Sequence, residues 1–141
     1  MQQALATRRL DSADERALTA LLLRYATALD TRDWTMLRSC FSEDVEADYA
    51  SFGKWRGLRE ITEYMQRTHA DLGPTLRRMT NISVHMEGGE VCARSYIDAI
   101  LTPGKAGGLV HRGIGWFDDR LVRTSDGWKI SRRTFTPVLL E

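Results

Sequence analysis

The sequence predicts an α+β fold, with helices packed on one face of a strongly curved, mostly antiparallel sheet. Two observations carry this. Apolar residues recur at helical spacing through most of the first half, and four long strand-like runs in hairpin order fill the second. The strands are too long for a flat sheet, so the sheet should curl into a cone with room for a core or a pocket inside. A chain of 141 residues is the size of one domain. The expected boundaries are a frayed stretch over residues 1–10 and a single domain over 11–141.

In chain order, Ser12 and Glu15 have the spacing of a capping box, a hydroxyl and a carboxylate that serve orphan N–H groups. Leu18, Leu21, Leu22, Tyr25, Ala26 and Leu29 then fall on one broad face, predicting a first helix over about 13–31. Asp33 is a plausible cap for a short second helix over about 34–40. Val45, Ala47 and Tyr49 alternate with polar residues, the period of a strand. Gly53 marks a turn. Ile61, Tyr64 and Met65 return to helical spacing over about 58–69, and Gly73-Pro74 ends that segment. Strands are then predicted over about 75–86, 91–101, 109–123 and 128–138. Gly88-Gly89, the glycine-rich run 103–108 and Ser125-Asp126-Gly127 separate them.

Composition narrows the function. Lys plus Arg is 20 and Asp plus Glu is 19, so no charge excess favours nucleic acid or an anionic membrane. No apolar run approaches the roughly 18 residues of a membrane span, and Arg8, Arg9 and Asp11 interrupt any signal core. Cys40 and Cys92 lie apart from any Cys/His cluster and read as free thiols in a reducing, cytoplasmic compartment. HExxH, GxSxG, phosphate-loop and dinucleotide fingerprints are absent, so no metal or cofactor is expected.

Several blocks resemble the SnoaL-like branch of the NTF2-like superfamily. They are residues 25–30 (YATALD), Arg32-Asp33-Trp34, residues 41–45 (FSEDV), Trp55-Arg56-Gly57, residues 75–81, residues 119–123, and residues 126–130 (DGWKI). Their order and spacing cover about 18–133. The resemblance implies a cone-shaped, cystatin-like α+β barrel with a mixed sheet, a deep pocket and a dimer formed through the sheet. It also implies proton transfer beside an activating group, without metal or organic cofactor, as in scytalone dehydratase, bile-acid dehydratases, a dehydrochlorinase and polyketide cyclases. Other members only bind.

The candidate catalytic residues are Asp30, Tyr25, Tyr49, Arg77 and His111. Asp30 ends an apolar helical face, where a carboxylate needs a partner. The resemblance pairs an aspartate here with a histidine four residues before Asn81. This chain has Arg77 at that position. Arginine stays protonated and cannot be a general base, but it can pair with Asp30 or hold a ligand oxygen. A one-residue slip would put Arg78 there instead. Tyr25 and Tyr49 match tyrosines that donate to a substrate carbonyl, and equally read as core residues. His111 shares strand parity with Gly113, Gly115 and Phe117 and is a candidate replacement base at the pocket mouth. His69 reads as a cation suited to a helix C-terminus, and His85 as an exposed residue near a turn. Asn81, Trp55 and Phe117 are candidates for binding substrate. Asp119, Arg123 and Arg133 read as a structural charge network.

The functional expectation is a cofactor-independent lyase or isomerase acting on a hydrophobic oxygenated small molecule. A non-catalytic binding protein and a polyketide cyclase are the alternatives.

Overall fold

The structure, a computed structural model, describes residues 10–141. The frayed stretch expected over residues 1–10 therefore lies, Leu10 apart, outside the described residues. Three helices and six strands follow in order. They are α1 (Ser12–Thr31), α2 (Trp34–Arg38), β1 (Phe41–Asp48), β2 (Lys54–Arg56), α3 (Leu58–His69), β3 (Leu72–Glu87), β4 (Glu90–Pro103), β5 (His111–Thr124) and β6 (Gly127–Leu140). The strand order is β2-β1-β6-β5-β4-β3, with β1 parallel to β6 and every other pair antiparallel. The sheet is an open cone rather than a closed barrel, with β2 and β3 as its edges.

Local chemistry sets the element ends. The cap of α1 is Asp11, one residue before the expected Ser12, and its carboxylate accepts from the Asp14 N–H at 2.8 Å. Asp33 caps α2 the same way, accepting from Met36 N at 3.0 Å. Helix α1 ends at Arg32, whose φ of 58° is left-handed. That conformation costs a non-glycine residue about 1–2 kcal/mol, and the side chain offsets it. Arg32 donates to the Leu29 carbonyl at 2.7 Å, to Thr75 Oγ1 at 2.9 Å and to the Gly73 carbonyl at 2.7 Å. These bonds tie the end of α1 to the start of β3, and so set Asp30 against that strand.

Three elements differ from the sequence expectation, the first being the short strand β2, where the sequence predicts only a turn at Gly53. Strand β3 starts three residues early and runs through Gly73-Pro74. It is an edge strand, where a proline without an N–H is tolerated. Tyr49 is not on β1 but just past its end, in the turn that leads to β2. It nevertheless continues the buried row of Val45 and Ala47.

The core lies between α1, α3 and the concave sheet face. Leu18, Leu21, Leu22 and Leu29 of α1 meet Val45, Ile61, Phe117, Leu121 and Ile130, each worth about 1.5–3 kcal/mol of burial. At Gly115 a Cβ would run into the Thr136 carbonyl oxygen, where the β5–β6 register shifts. Here the glycine is required by close backbone approach. Arg133 and Asp119 sit opposite each other on β6 and β5, both with fully buried side chains. Two parallel bonds of 2.8 Å join them, and the guanidinium stacks on Phe117 at 3.8 Å and Tyr25 at 4.3 Å from the ring centroids. Breaking such a pair strands a buried charge. Asp119→Ala should therefore cost about 3–5 kcal/mol in urea unfolding; a change below about 1 kcal/mol would contradict a shared buried charge pair.

Candidate active site

A cavity of about 570 Å³ opens between α1, α3 and the concave face of β3–β6. Met65, Ile97, Leu101, Phe117 and Phe135 form its apolar wall. Its most buried polar groups fall in two places. Tyr25 and Tyr49 are at one, and His69 and Arg77 are at the other. His111, Arg112 and Glu141 form an exposed rim.

The tyrosine hydroxyls are 2.9 Å apart and buried. Arg133 Nη1 approaches the Tyr49 hydroxyl at 3.5 Å. Burial, then the neighbouring Tyr25, drives the Tyr49 hydroxyl well above the ordinary tyrosine value. It stays protonated near neutral pH. Two hydroxyls carry two hydrogens, and the bond between them uses one. The other hydrogen is left for a ligand oxygen.

At the second place, Asp30 and Arg77 meet as the sequence suggested. Asp30 Oδ1 accepts from Arg77 Nη1 at 2.9 Å and Thr75 Oγ1 at 2.8 Å, and Oδ2 accepts from the Arg77 backbone N–H at 2.7 Å. Register settles the slip. Arg77 faces inward, while Arg78 points out to Asp98 at 2.7 Å. Asp30 is not among the cavity-lining residues. Its partner Arg77 lines the cavity in its place.

His69 is where the sequence reading fails most. It is not a solvated cation at a helix end. It is 5% exposed and lines the cavity. Its Nδ1 lies 2.8 Å from the Met65 carbonyl, which only accepts, so Nδ1 carries the hydrogen. Its Nε2 lies 2.8 Å from Arg77 Nη2, which only donates, so Nε2 offers a lone pair. Both contacts require the neutral ring. Burial and then the Arg77 charge lower its pKa to about 4. A signal was present: Ile61, Met65 and His69 are spaced by four and share the buried face of α3.

The other candidates separate. Phe117 lines the cavity. His111 reaches only the rim, exposed, with Nδ1 2.9 Å from the Glu141 carbonyl. It does not take the dyad position, where Arg77 meets Asp30 instead. Asn81 is exposed and outside the cavity lining. It occupies a bulge of β3 with φ 50°, a conformation asparagine tolerates better than most. Trp55 stands behind the wall. It stacks on Tyr64 at 3.9 Å and meets Tyr49 edge-on at 5.5 Å. The sequence reading treated Arg133 as structure alone, yet it lies directly beneath the tyrosine pair. Among the described residues, His85, Glu87 and Cys92 bring donor atoms within 4.8 Å of one another, on exposed strand ends apart from the cavity. The two cysteines are unpaired, and no described helix is long and apolar enough to cross a membrane.

The His69 geometry makes stability depend on pH. The charges facing the ring are Arg77, Arg32 and Asp30. The unfolded chain binds a proton at the ordinary histidine value of 6.5, and the folded one only near 4. Between those values the unfolded state binds more protons, so stability falls as pH drops through the window. Between pH 7 and 4.5 the wild type should lose about 2 kcal/mol more unfolding free energy than His69→Gln. Equal losses would show that the imidazole is not buried neutral.

Comparison with known proteins agrees with this architecture. Residues 11–134 match the SnoaL-like domain family. An uncharacterised Mycobacterium tuberculosis protein, Rv2910c, is 28% identical over 126 residues, covering 88% of this chain and 85% of its own. A Novosphingobium aromaticivorans structure provisionally designated a scytalone dehydratase superposes with TM-score 0.84 at 22% identity, covering 92% of this chain and 87% of that one. A type 2 hexachlorocyclohexane dehydrochlorinase, LinA, superposes with TM-score 0.82 at 15% identity, covering 92% and 88%. With the family match extending over nearly all of the described residues, the chain belongs to the SnoaL-like domain family.

Proposed function

We propose that this protein is a cofactor-independent lyase or isomerase, dehydratase-like in its chemistry. Its substrate is a hydrophobic oxygenated small molecule of polyketide, steroid or terpenoid type. The observation that carries the reading is the pairing, in one largely apolar cavity, of a hydroxyl hydrogen free for a ligand oxygen and a fixed Arg77–His69 pair that Asp30 backs from outside the lining. The Tyr25–Tyr49 pair polarises a carbonyl. That acidifies the neighbouring C–H bond, and the Arg77–His69 pair handles the proton. Burial strengthens each of these dipoles, because little water competes with them. The names of two structural neighbours, a dehydratase and a dehydrochlorinase, denote loss of water and loss of hydrogen chloride. Both reactions remove a proton and a leaving group from adjacent atoms. A polyketide cyclase would use the same parts.

A binding protein without chemistry is the second reading. The withdrawal of Asp30 behind Arg77 favours it. The cytoplasm is the proposed location, in keeping with the free thiols. We also infer a homodimer formed through the outer sheet face. There Leu76 and Tyr96 are exposed beside the ion pairs Arg78–Asp98 and Arg94–Asp118, a mixture of apolar and paired charged groups suited to a second copy. Sedimentation should give twice the chain mass; a species of 16.1 kDa alone would contradict it.

The reaction is tested with a panel of hydrophobic β-hydroxy ketones, followed by enone absorbance. Wild type should convert at least one. The double variant Tyr25→Phe/Tyr49→Phe should lose about 100-fold or more in kcat, the effect of removing a preorganised donor. Tight binding with no enone after long incubation would favour the second reading.

A further inference from the structure

We propose that the proton acceptor of this site is His69 Nε2, supplied from the end of α3, and that Arg77 and Asp30 are its positioning residues. The inference rests on the proton-transfer reading above and says which atom performs it.

Elimination gives the first half of the argument. Asp30 has its oxygens occupied by three hydrogen bonds and does not line the cavity, whereas its partner Arg77 does. Arg77 has no lone pair to offer. Tyr49 is a donor held protonated, and the Tyr25 hydroxyl is hydrogen-bonded to it. His111 and Glu141 are exposed at the rim, where water competes for any bond they make. Among the described residues, His69 Nε2 is then the buried basic atom in the cavity wall.

Geometry gives the second half. The Met65 carbonyl fixes the hydrogen on Nδ1, so the lone pair sits on Nε2 and points toward Arg77. Trp34 meets the ring edge-on, with centroids 6.2 Å apart, and limits its rotation. Arg77 is in turn locked through Nη1 to Asp30 and Thr75. At rest the lone pair is occupied by the Nη2–H bond. A ligand oxygen that accepts this N–H replaces the imidazole as its partner and releases the lone pair. The base is thus freed only when the cavity is filled.

The step balances as follows. Nε2 takes the proton from a carbon next to a carbonyl. The C–H electron pair becomes the new C=C bond, and the carbonyl π pair moves onto oxygen, held by the free tyrosine hydrogen. The imidazolium then returns the proton. In a dehydration the C=O re-forms, the enolate C=C pair shifts to make the double bond between the α and β carbons, and the β C–O bond breaks with its pair on the hydroxyl, which takes the proton and leaves as water. In an isomerisation of a β,γ-unsaturated ketone the C=O re-forms, the double bond shifts into conjugation, and the γ carbon takes the proton. Asp30 offsets the charge that builds up as imidazolium forms near Arg77. A ring with a low resting pKa is unprotonated and ready across the neutral range.

The test uses β-tetralone in heavy water, at a concentration shown by intrinsic fluorescence to saturate the protein. Exchange of the α-hydrogens is read by mass spectrometry. Wild type should accelerate exchange over buffer. His69→Gln and His69→Ala should each lose about 100-fold, the low end of general-base effects. Free imidazole should restore at least tenfold to His69→Ala, which a merely structural histidine would not allow. Asp30→Asn should lose about tenfold and gain nothing from imidazole. If both His69 variants remain folded by circular dichroism and exchange within twofold of wild type, His69 is not the acceptor, while the proton-transfer reading stands. If His69→Ala is slow but imidazole restores nothing, the ring is structural and the inference also fails. If wild type binds β-tetralone without exchange, or does not bind it, the proton-transfer reading itself fails.

Discussion

A guanidinium donates hydrogen bonds and never accepts them, and at Arg77 that asymmetry sets what two neighbours must offer. On one side Arg77 donates to Asp30 through a side-chain and a backbone bond. On the other it requires an unprotonated Nε2 from His69. A histidine at position 77 would put a titrating ring directly against Asp30. The arginine instead places a permanent charge between carboxylate and imidazole, so the imidazole stands one residue farther from the acid. The rest of the site follows. The left-handed turn at Arg32, bonded to Leu29, Gly73 and Thr75, keeps the end of α1 beside β3 so that this contact can form.

The cone carries a second inward arginine. Arg133 lies under the tyrosine pair, paired with Asp119 and sandwiched by Phe117 and Tyr25. Burial alone pushes the Asp119 carboxyl up and the Arg133 guanidinium down. The attraction between them opposes both effects, and for Arg133 it prevails. An ion pair this deep adds little net stability compared with an apolar pair of the same volume. Its value is directional: it presents a fixed positive edge to the Tyr49 oxygen. The cavity therefore has two preorganised polar stations, each built on an arginine–aspartate pair, with apolar walls between them.

Much of the fold was legible because periodicity reports burial directly. The leucines of α1 and the alternation in β4 to β6 mark the faces that pack. Edges were harder. β2 is three residues long and pairs only with β1, too short for a period of two to show. At the site, the Asp30–Arg77 contact was legible from the blocks around each residue, and register alone decided between Arg77 and Arg78. Asn81 misled because it sits at a bulge of β3, exposed, and the sequence does not signal that bulge. His69 was missed because a histidine in the last turn of a helix has an adequate surface explanation in the helix dipole. Only its spacing from Ile61 and Met65 spoke for burial.

The protonation state of one ring is the most direct check on this account. Nitrogen-15 resonances of the His69 imidazole, recorded at pH 5.5, report charge and tautomer together. The arrangement around Arg77 predicts a neutral ring with the hydrogen on Nδ1 and an acceptor-type shift at Nε2. An imidazolium at that pH, or a hydrogen on Nε2, would contradict it.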